Sequence, residues 1–177
     1  MNPFQLISSR EIYKNPWISV REDRVIRLGG TEGIFGIVTA KDGSTVLCLD
    51  EDNNIYTTNE FHYAIAEQKI ELISGWRDND EDYLECAKRE LEEEAGLVAD
   101  EWIGLGYIDP FSGIIACRNY IFIARGLTQW QANPDNWEIV NISKIPFTKA
   151  LEMVINGEIT HWASVVAILR AQKYIQL

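Results

Sequence analysis

From Glu11 to Leu28 the chain reads EIYKNPWISVREDRVIRL, with apolar and polar residues alternating in two stretches. Alternation at a period of two predicts half-buried strands. Residues 30–64, GTEGIFGIVTAKDGSTVLCLDEDNNIYTTNEFHYA, add three more apolar runs. Lys41-Asp42-Gly43 and the segment from Asp50 to Asn54 punctuate them as turns. QKIELISGW, residues 68–76, is a sixth strand. The period changes after Asp82. Leu84, Ala87, Leu91 and Ala95 recur at steps of three and four and line one helical face, which predicts a helix over 82–95. Asp82 stands three before Glu85 as an N-cap with its capping-box partner, and Gly96 is the C-terminal stop. WIGLGYIDP, NYIFIARGL and WEIVNIS follow as strands. PFTKALEMVINGE and HWASVVAILRAQKYI follow as two helices with Asn156-Gly157 as the break. Strands on both sides of a central helix, then terminal helices, predict an α/β sandwich on a mixed sheet.

Composition narrows the function. A chain of 177 residues with 46% hydrophobic and 24% charged residues can bury one real core. A net charge of −11 argues against a general nucleic-acid or anionic-membrane binder. An anionic substrate stays compatible if a metal ion supplies the positive charge. Cys48, Cys86 and Cys117 are widely spaced, with no zinc-like pairing, and are expected to be buried free thiols. The first residues, MNPFQLISSREIYKNPW, lack a charged region followed by an apolar run, so no signal peptide is expected. No apolar stretch approaches the roughly 20 residues of a membrane span. These features fit a reducing cytoplasm.

The predicted helix carries a puzzle. GWRDNDEDYLECAKRELEEEAGL, residues 75–97, holds nine acidic residues. Glu90, Glu93 and Glu94 share a helical face, where like charges one turn apart repel by roughly 0.2–0.5 kcal/mol per pair. Glu93 and Glu94 also oppose the negative end of the helix macrodipole. Arg89 stands four before Glu93 and can hold it, while Glu81 and Glu85 extend the acidity toward the N-terminus. A solvated helix face is the bland explanation. A hard divalent cation that bridges the carboxylates to substrate phosphates offsets both penalties.

The spacing is more specific than the charge. Gly75, five residues, Glu81, seven residues, Arg89-Glu90-Leu91, one residue, Glu93-Glu94, one residue, Gly96-Leu97 resembles the Nudix box at every defined position. The resemblance implies a Nudix-type α/β/α sandwich with a mixed sheet, plus a small N-terminal β-stranded extension over 1–40 and the Nudix domain over 41–177. It implies Mg2+ or Mn2+ held by Glu90 and Glu94, by Glu93 directly or through water, and by the Ser74 carbonyl. Arg89 then orients the glutamates, Glu81 supports the site, Gly96 closes the helix, and Gly75 lets backbone approach a ligand closely. The implied chemistry is metal-assisted hydrolysis of a nucleoside diphosphate linked to another moiety.

Segments outside the box resemble the ADP-ribose pyrophosphatase branch more weakly. These are SREIYKNPWISVREDRV, IELISGW, YIDPFSGIIACRNYIFIARGL with Pro110 and Ala124, and ALEMVINGEITHWASVVAILRA. They imply ADP-ribose or a related nucleotide sugar as substrate, and a homodimer whose N-terminal elements help form the partner's site. In that setting Trp17 stacks on a nucleobase, or equally serves as a core or interface side chain. There are departures. His62 stands where the branch often has an arginine facing the diphosphate, and is either a weaker phosphate partner or a strand residue with a satisfied ring nitrogen. Ile-Ser-Gly replaces Pro-Ala-Gly, and Asp80 replaces a glycine. The general base of the branch comes from a downstream loop, here TQWQANPDNWEIV, which offers Asp135 and Glu138, with Glu93 as the fallback. GDP-mannose, a dinucleotide or a nucleoside triphosphate is an alternative substrate. A binding or regulatory module is the alternative of another class.

Overall fold

The computed structural model describes residues 2–129 and 141–175. In chain order the strands are β1 (Gln5–Lys14), β2 (Ile18–Ile26), β3 (Glu32–Ala40), β4 (Gly43–Cys48), β5 (Asn54–His62), β6 (Glu67–Glu71) and β7 (Ile73–Trp76). After helix α1 (Tyr83–Ala95) come β8 (Leu97–Ile108), β9 (Ile115–Ala116), β10 (Asn119–Gln129) and β11 (Asn141–Pro146). Helices α2 (Phe147–Ile155) and α3 (Trp162–Ala171) close the chain. It divides into two compact units, Met1–Asp42 with Asp109–Arg118, and Gly43–Ile108 with Asn119–Leu177. The first unit therefore contains a segment, Asp109–Arg118, that a linear division at residue 40 leaves out.

In the first unit the sheet runs β1-β2-β3-β9, antiparallel except for the β3–β9 pair. Asn15 turns β1 into β2, its Oδ1 accepting from Trp17 N and Ile18 N at 2.9 and 2.8 Å. Every residue of β1 is exposed. With no buried face to enforce alternation, the sequence of its first half carries no strand signal.

In the second unit the mixed sheet runs β7-β4-β10-β8, with β4 parallel to β10 and the other pairs antiparallel. A separate three-stranded sheet runs β11-β5-β6. The mixed sheet expected from the sequence is this four-stranded one, and the chain enters it from the three-stranded sheet at Leu72. All six residues of β4 are buried, as a strand covered on both faces must be. Val46 and Cys48 point to α1 with Ala87 and Leu91. Leu47 and Leu49 join Phe147, Ala150 and Ile168 from α2 and α3. The period of two along one strand thus fills both cores of an α/β/α sandwich.

Helix α1 starts at Asp82, whose side chain accepts from Leu84 N at 2.8 Å. Glu85 is engaged by Lys88 at 2.8 Å. The helix stops at Gly96, which takes φ 59°, a left-handed turn that glycine adopts without strain. Cys48 and Cys86 are buried free thiols, while Cys117 is only half-buried. Among the described residues no helix is long and apolar enough to cross a membrane.

The head of α3 is tied to the Leu72 bend. Ser164 Oγ accepts from Leu72 N at 2.9 Å, and His161 Nδ1 lies 2.9 Å from Ser164 Oγ and 3.2 Å from Glu71 Oε2. Burial pushes the His161 imidazole down from its ordinary 6.5 to about 4. Between those values the unfolded chain binds the proton that the folded chain refuses. The stability contributed by neutral His161 is therefore complete above about 6.5 and lost as pH falls toward 4. Glu71, pushed up by its own burial, acts in the opposite sense. From about pH 7 to pH 5 the wild-type Tm is expected to fall further than that of His161→Asn in parallel calorimetry. Equal slopes would remove His161 from the account.

Candidate functional site

Helix α1 presents Arg89 one turn before Glu93, and the loop after β7 brings Glu81 to meet it. Arg89 Nε donates to Glu81 Oε1 at 2.9 Å and Nη2 to Glu81 Oε2 at 3.1 Å, a two-pronged pair. Nη1 donates to Glu90 Oε1 at 2.7 Å and Glu93 Oε2 at 2.9 Å. Nη2 also reaches the Trp76 carbonyl at 2.9 Å. All five N–H groups of the guanidinium are engaged. Its hydrogen bonds, those to Glu81 first, hold the Arg89 pKa above its ordinary value. In return Arg89 holds the Glu81 carboxyl below the usual range. Glu81 is fixed further by Asp78 N at 3.0 Å on its side chain and by Arg77 Nη1 at 3.1 Å on its carbonyl.

Gly75 stands under this cluster. A Cβ there would overlap the carboxylate of Glu90, which is 9% exposed. Only a glycine lets the Glu90 head lie on the β7 backbone. Cys86 lies alongside, with Sγ 3.8 Å from the Gly75 carbonyl and its thiol pushed by burial to about 11. Glu94, one turn after Glu90 on α1, acts on Cys48: its charge adds to the burial that raises the thiol. Ser74 pairs with Thr45 in the β7–β4 ladder, one residue ahead of Gly75.

Among the described residues no three His, Cys, Asp or Glu side chains are already gathered as a metal cage. Arg89 instead gathers Glu81, Glu90 and Glu93 around itself. The donor chemistry nonetheless fits a hard divalent cation, since it consists of carboxylate and carbonyl oxygens. One guanidinium against three carboxylates leaves the cluster short of positive charge, and the last turn of α1 supplies no basic residue.

The remaining predicted residues scatter. His62 ends β5 with its Nε2 2.5 Å from Glu71 Oε1, a close contact off the line of a hydrogen bond. Trp17 is 62% exposed in the first unit, which excludes the core role for it. Asp80 takes φ 63°, a left-handed conformation that glycine adopts freely and that aspartate tolerates. Asp135 and Glu138 lie outside the described residues. Sequence reasoning missed the Trp76 carbonyl, because a backbone acceptor leaves no signature in residue identity. It missed the ring of groups around Glu71 because its members come from β5, β6 and the head of α3.

Comparison with known proteins fits this geometry. The family model for the nucleoside diphosphate sugar hydrolase N-terminal domain matches residues 4–38, and that for the NUDIX domain matches residues 39–163. An ADP-ribose pyrophosphatase of Mycobacterium tuberculosis is 26% identical over 170 residues, covering 94% of this chain and 82% of that protein. A methanol dehydrogenase activator of Bacillus methanolicus is 22% identical over 173 residues, covering 97% and 91%. A GDP-mannose pyrophosphatase of an Enterobacter species is 27% identical over 146 residues, covering 77% and 74%. A crystal structure described as an ADP compounds hydrolase superimposes with a TM-score of 0.86 at 15% identity, covering 98% of this chain and 95% of that one, and so shares the fold. With its box assembled around Arg89 and the family model spanning most of its length, the chain belongs to the NUDIX family as a pyrophosphohydrolase.

Proposed function

We propose that this enzyme hydrolyses a nucleoside diphosphate linked to a sugar, with ADP-ribose as the leading substrate, by attack of water on the pyrophosphate. The observation that carries the reading is the seat made by Gly75, Glu90 and Arg89, which spends a saturated guanidinium on aligning carboxylates. The N-terminal model and the ADP-ribose pyrophosphatase relative support the substrate class. The GDP-mannose pyrophosphatase relative supports GDP-mannose as the second reading.

Glu90 and Glu94, with Glu93 and the Ser74 carbonyl, would hold Mg2+ or Mn2+. When bound, the ion supplies positive charge that polarises phosphoryl oxygens and lowers the pKa of water. Arg89 fixes Glu90 and Glu93 in place, and Glu81 fixes Arg89. Glu93 gives Oε2 to Arg89 and is half-exposed, so its Oε1 can take a proton from attacking water if neither Asp135 nor Glu138 does so. His62 and Trp17 serve the substrate's phosphates and base. A homodimer through the first unit is supported by the edge strand β1, on which Leu6, Ile12 and Tyr13 are exposed. Three free cysteines support a reducing cytoplasm.

A panel of sugar nucleotides assayed with Mg2+, with products passed to a phosphatase for phosphate detection, is expected to single out ADP-ribose. Glu94→Gln should then lose roughly a hundredfold or more in kcat, about 3 kcal/mol of barrier, while keeping its circular dichroism. A Glu94→Gln enzyme as fast as wild type removes the assignment. In Gly75→Ala the new Cβ displaces the flexible end of Glu90 rather than backbone. That variant should therefore stay folded, with a Tm within a few degrees of wild type, and lose most of its rate; full activity would contradict the seat. Millimolar Mg2+ or Mn2+ should raise the wild-type Tm, and the rise should shrink in Glu90→Gln; a flat titration counts against the metal.

A further inference from the structure

The chain has two histidines, and both lie against one carboxylate. Glu71 is 5% exposed. Its Oε1 lies 2.5 Å from His62 Nε2, at the end of β5. Its Oε2 lies 3.2 Å from His161 Nδ1, at the head of α3. Glu60 on β5 and Lys69 on β6 are the other charged groups that act on it. A buried carboxylate costs several kcal/mol in lost hydration unless partners offset it, and an apolar side chain of similar size would fill the space at no such cost. The charge therefore has a use other than filling.

That use is visible one residue later. Leu72 is the residue between β6 and β7, where the chain passes from the β11-β5-β6 sheet to the β7-β4-β10-β8 sheet. Its N–H is held by the buried Ser164 Oγ, which in turn lies 2.9 Å from His161 Nδ1. The first turn of α3 thus grips the side chain of Glu71 and the backbone of Leu72 together. Burial keeps the His161 ring neutral, and a proton on Nδ1 would face both Ser164 Oγ and Glu71 Oε2. Three residues beyond Glu71, about 10 Å along an extended strand, β7 delivers Ser74, then Gly75 under Glu90 and the Trp76 carbonyl to Arg89. A loosened bend would move that whole edge.

We infer that Glu71, His161 and Ser164 are positioning residues: together they clamp the Leu72 bend to the head of α3 and so set where β7 places Gly75 against the Arg89–Glu90 pair. This rests on the hydrolase reading only for its effect on rate; the clamp itself is read without substrate. The experiment is amide hydrogen exchange by mass spectrometry on the full chain, followed by kinetics on the best substrate of the panel. His161→Ala should exchange roughly tenfold faster over residues 72–76, with β8 and β10 unchanged. His161→Asn, whose amide nitrogen can stand in for Nδ1–H, should restore most of the protection. Ser164→Ala, which deletes one hydroxyl, should speed exchange at Leu72 and serves as the comparison if His161→Ala does not fold. In the same order kcat should fall in the alanine variants and recover in His161→Asn, with KM little changed. Unchanged protection at 72–76 in both alanine variants overturns the clamp. So does His161→Asn behaving like His161→Ala. If exchange follows the expectation and no member of the panel is hydrolysed, the clamp stands and the hydrolase reading fails.

Discussion

One guanidinium holds this site together. Glu81 from the loop and Glu90 and Glu93 from the helix would repel one another without a cation among them, and Glu90 would do so from a largely dry position. Arg89 turns that repulsion into geometry. Its planar fork grips Glu81 with two prongs and still has donors for Glu90, Glu93 and the Trp76 carbonyl. A lysine would offer a single point charge with no fixed directions, and could not define three carboxylates and a carbonyl at once. Because the fifth N–H ends on backbone, the hub also fastens helix α1 to the strand β7. Loss of Arg89 would therefore free a helix face and a strand edge together.

The sandwich exists to hold those two elements at fixed distance. Strand β4 is buried on both faces, packing α1 through Val46 and Cys48 and the α2–α3 layer through Leu47. Its ladder with β7 sets Ser74 opposite Thr45 and Gly75 opposite Ser44. Ser44 Oγ in turn donates to the Tyr83 carbonyl at the first residue of α1, at 2.7 Å. A stack of Tyr83 on Tyr120, 3.7 Å between ring centres, with Arg77 over Tyr83, steadies the loop that carries Glu81. The residues with chemistry are thus mounted on strands and a capped helix whose positions follow from packing.

Much of this was legible beforehand because it is local. The helix from Asp82 to Gly96 was readable from its 3.6-residue period, its cap and its glycine stop, and the spacing of Gly75, Glu81, Arg89 and the glutamates named the family. What was hidden depends on partners distant in sequence. The first half of β1 has no buried face, so its pattern is silent. The extension of β8 back to Leu97 follows from its pairing with Gln129 at the far end of β10. The passage from the three-stranded sheet to the mixed one occurs at Leu72, whose identity says nothing about the bend that Ser164 enforces from 92 residues away. His62 was read against an arginine pattern. Its actual neighbour, Glu71, was in plain view nine residues on, but a strand pairing and a helix head were needed to bring it close.

The departures from the box's surroundings share a physical logic. Ile-Ser-Gly can stand for Pro-Ala-Gly because what the site draws from that stretch is backbone: the bare Cα of Gly75 and, just beyond it, the carbonyl of Trp76. Asp80 can stand for glycine because aspartate accepts the left-handed turn at modest cost. The change at His62 is of another kind, because it alters the donor itself. An arginine beside Glu71 would keep donors on both prongs of its fork after pairing with the carboxylate. His62 has two ring nitrogens and Nε2 lies against Glu71, so to an anion it could offer one direction where a guanidinium offers two.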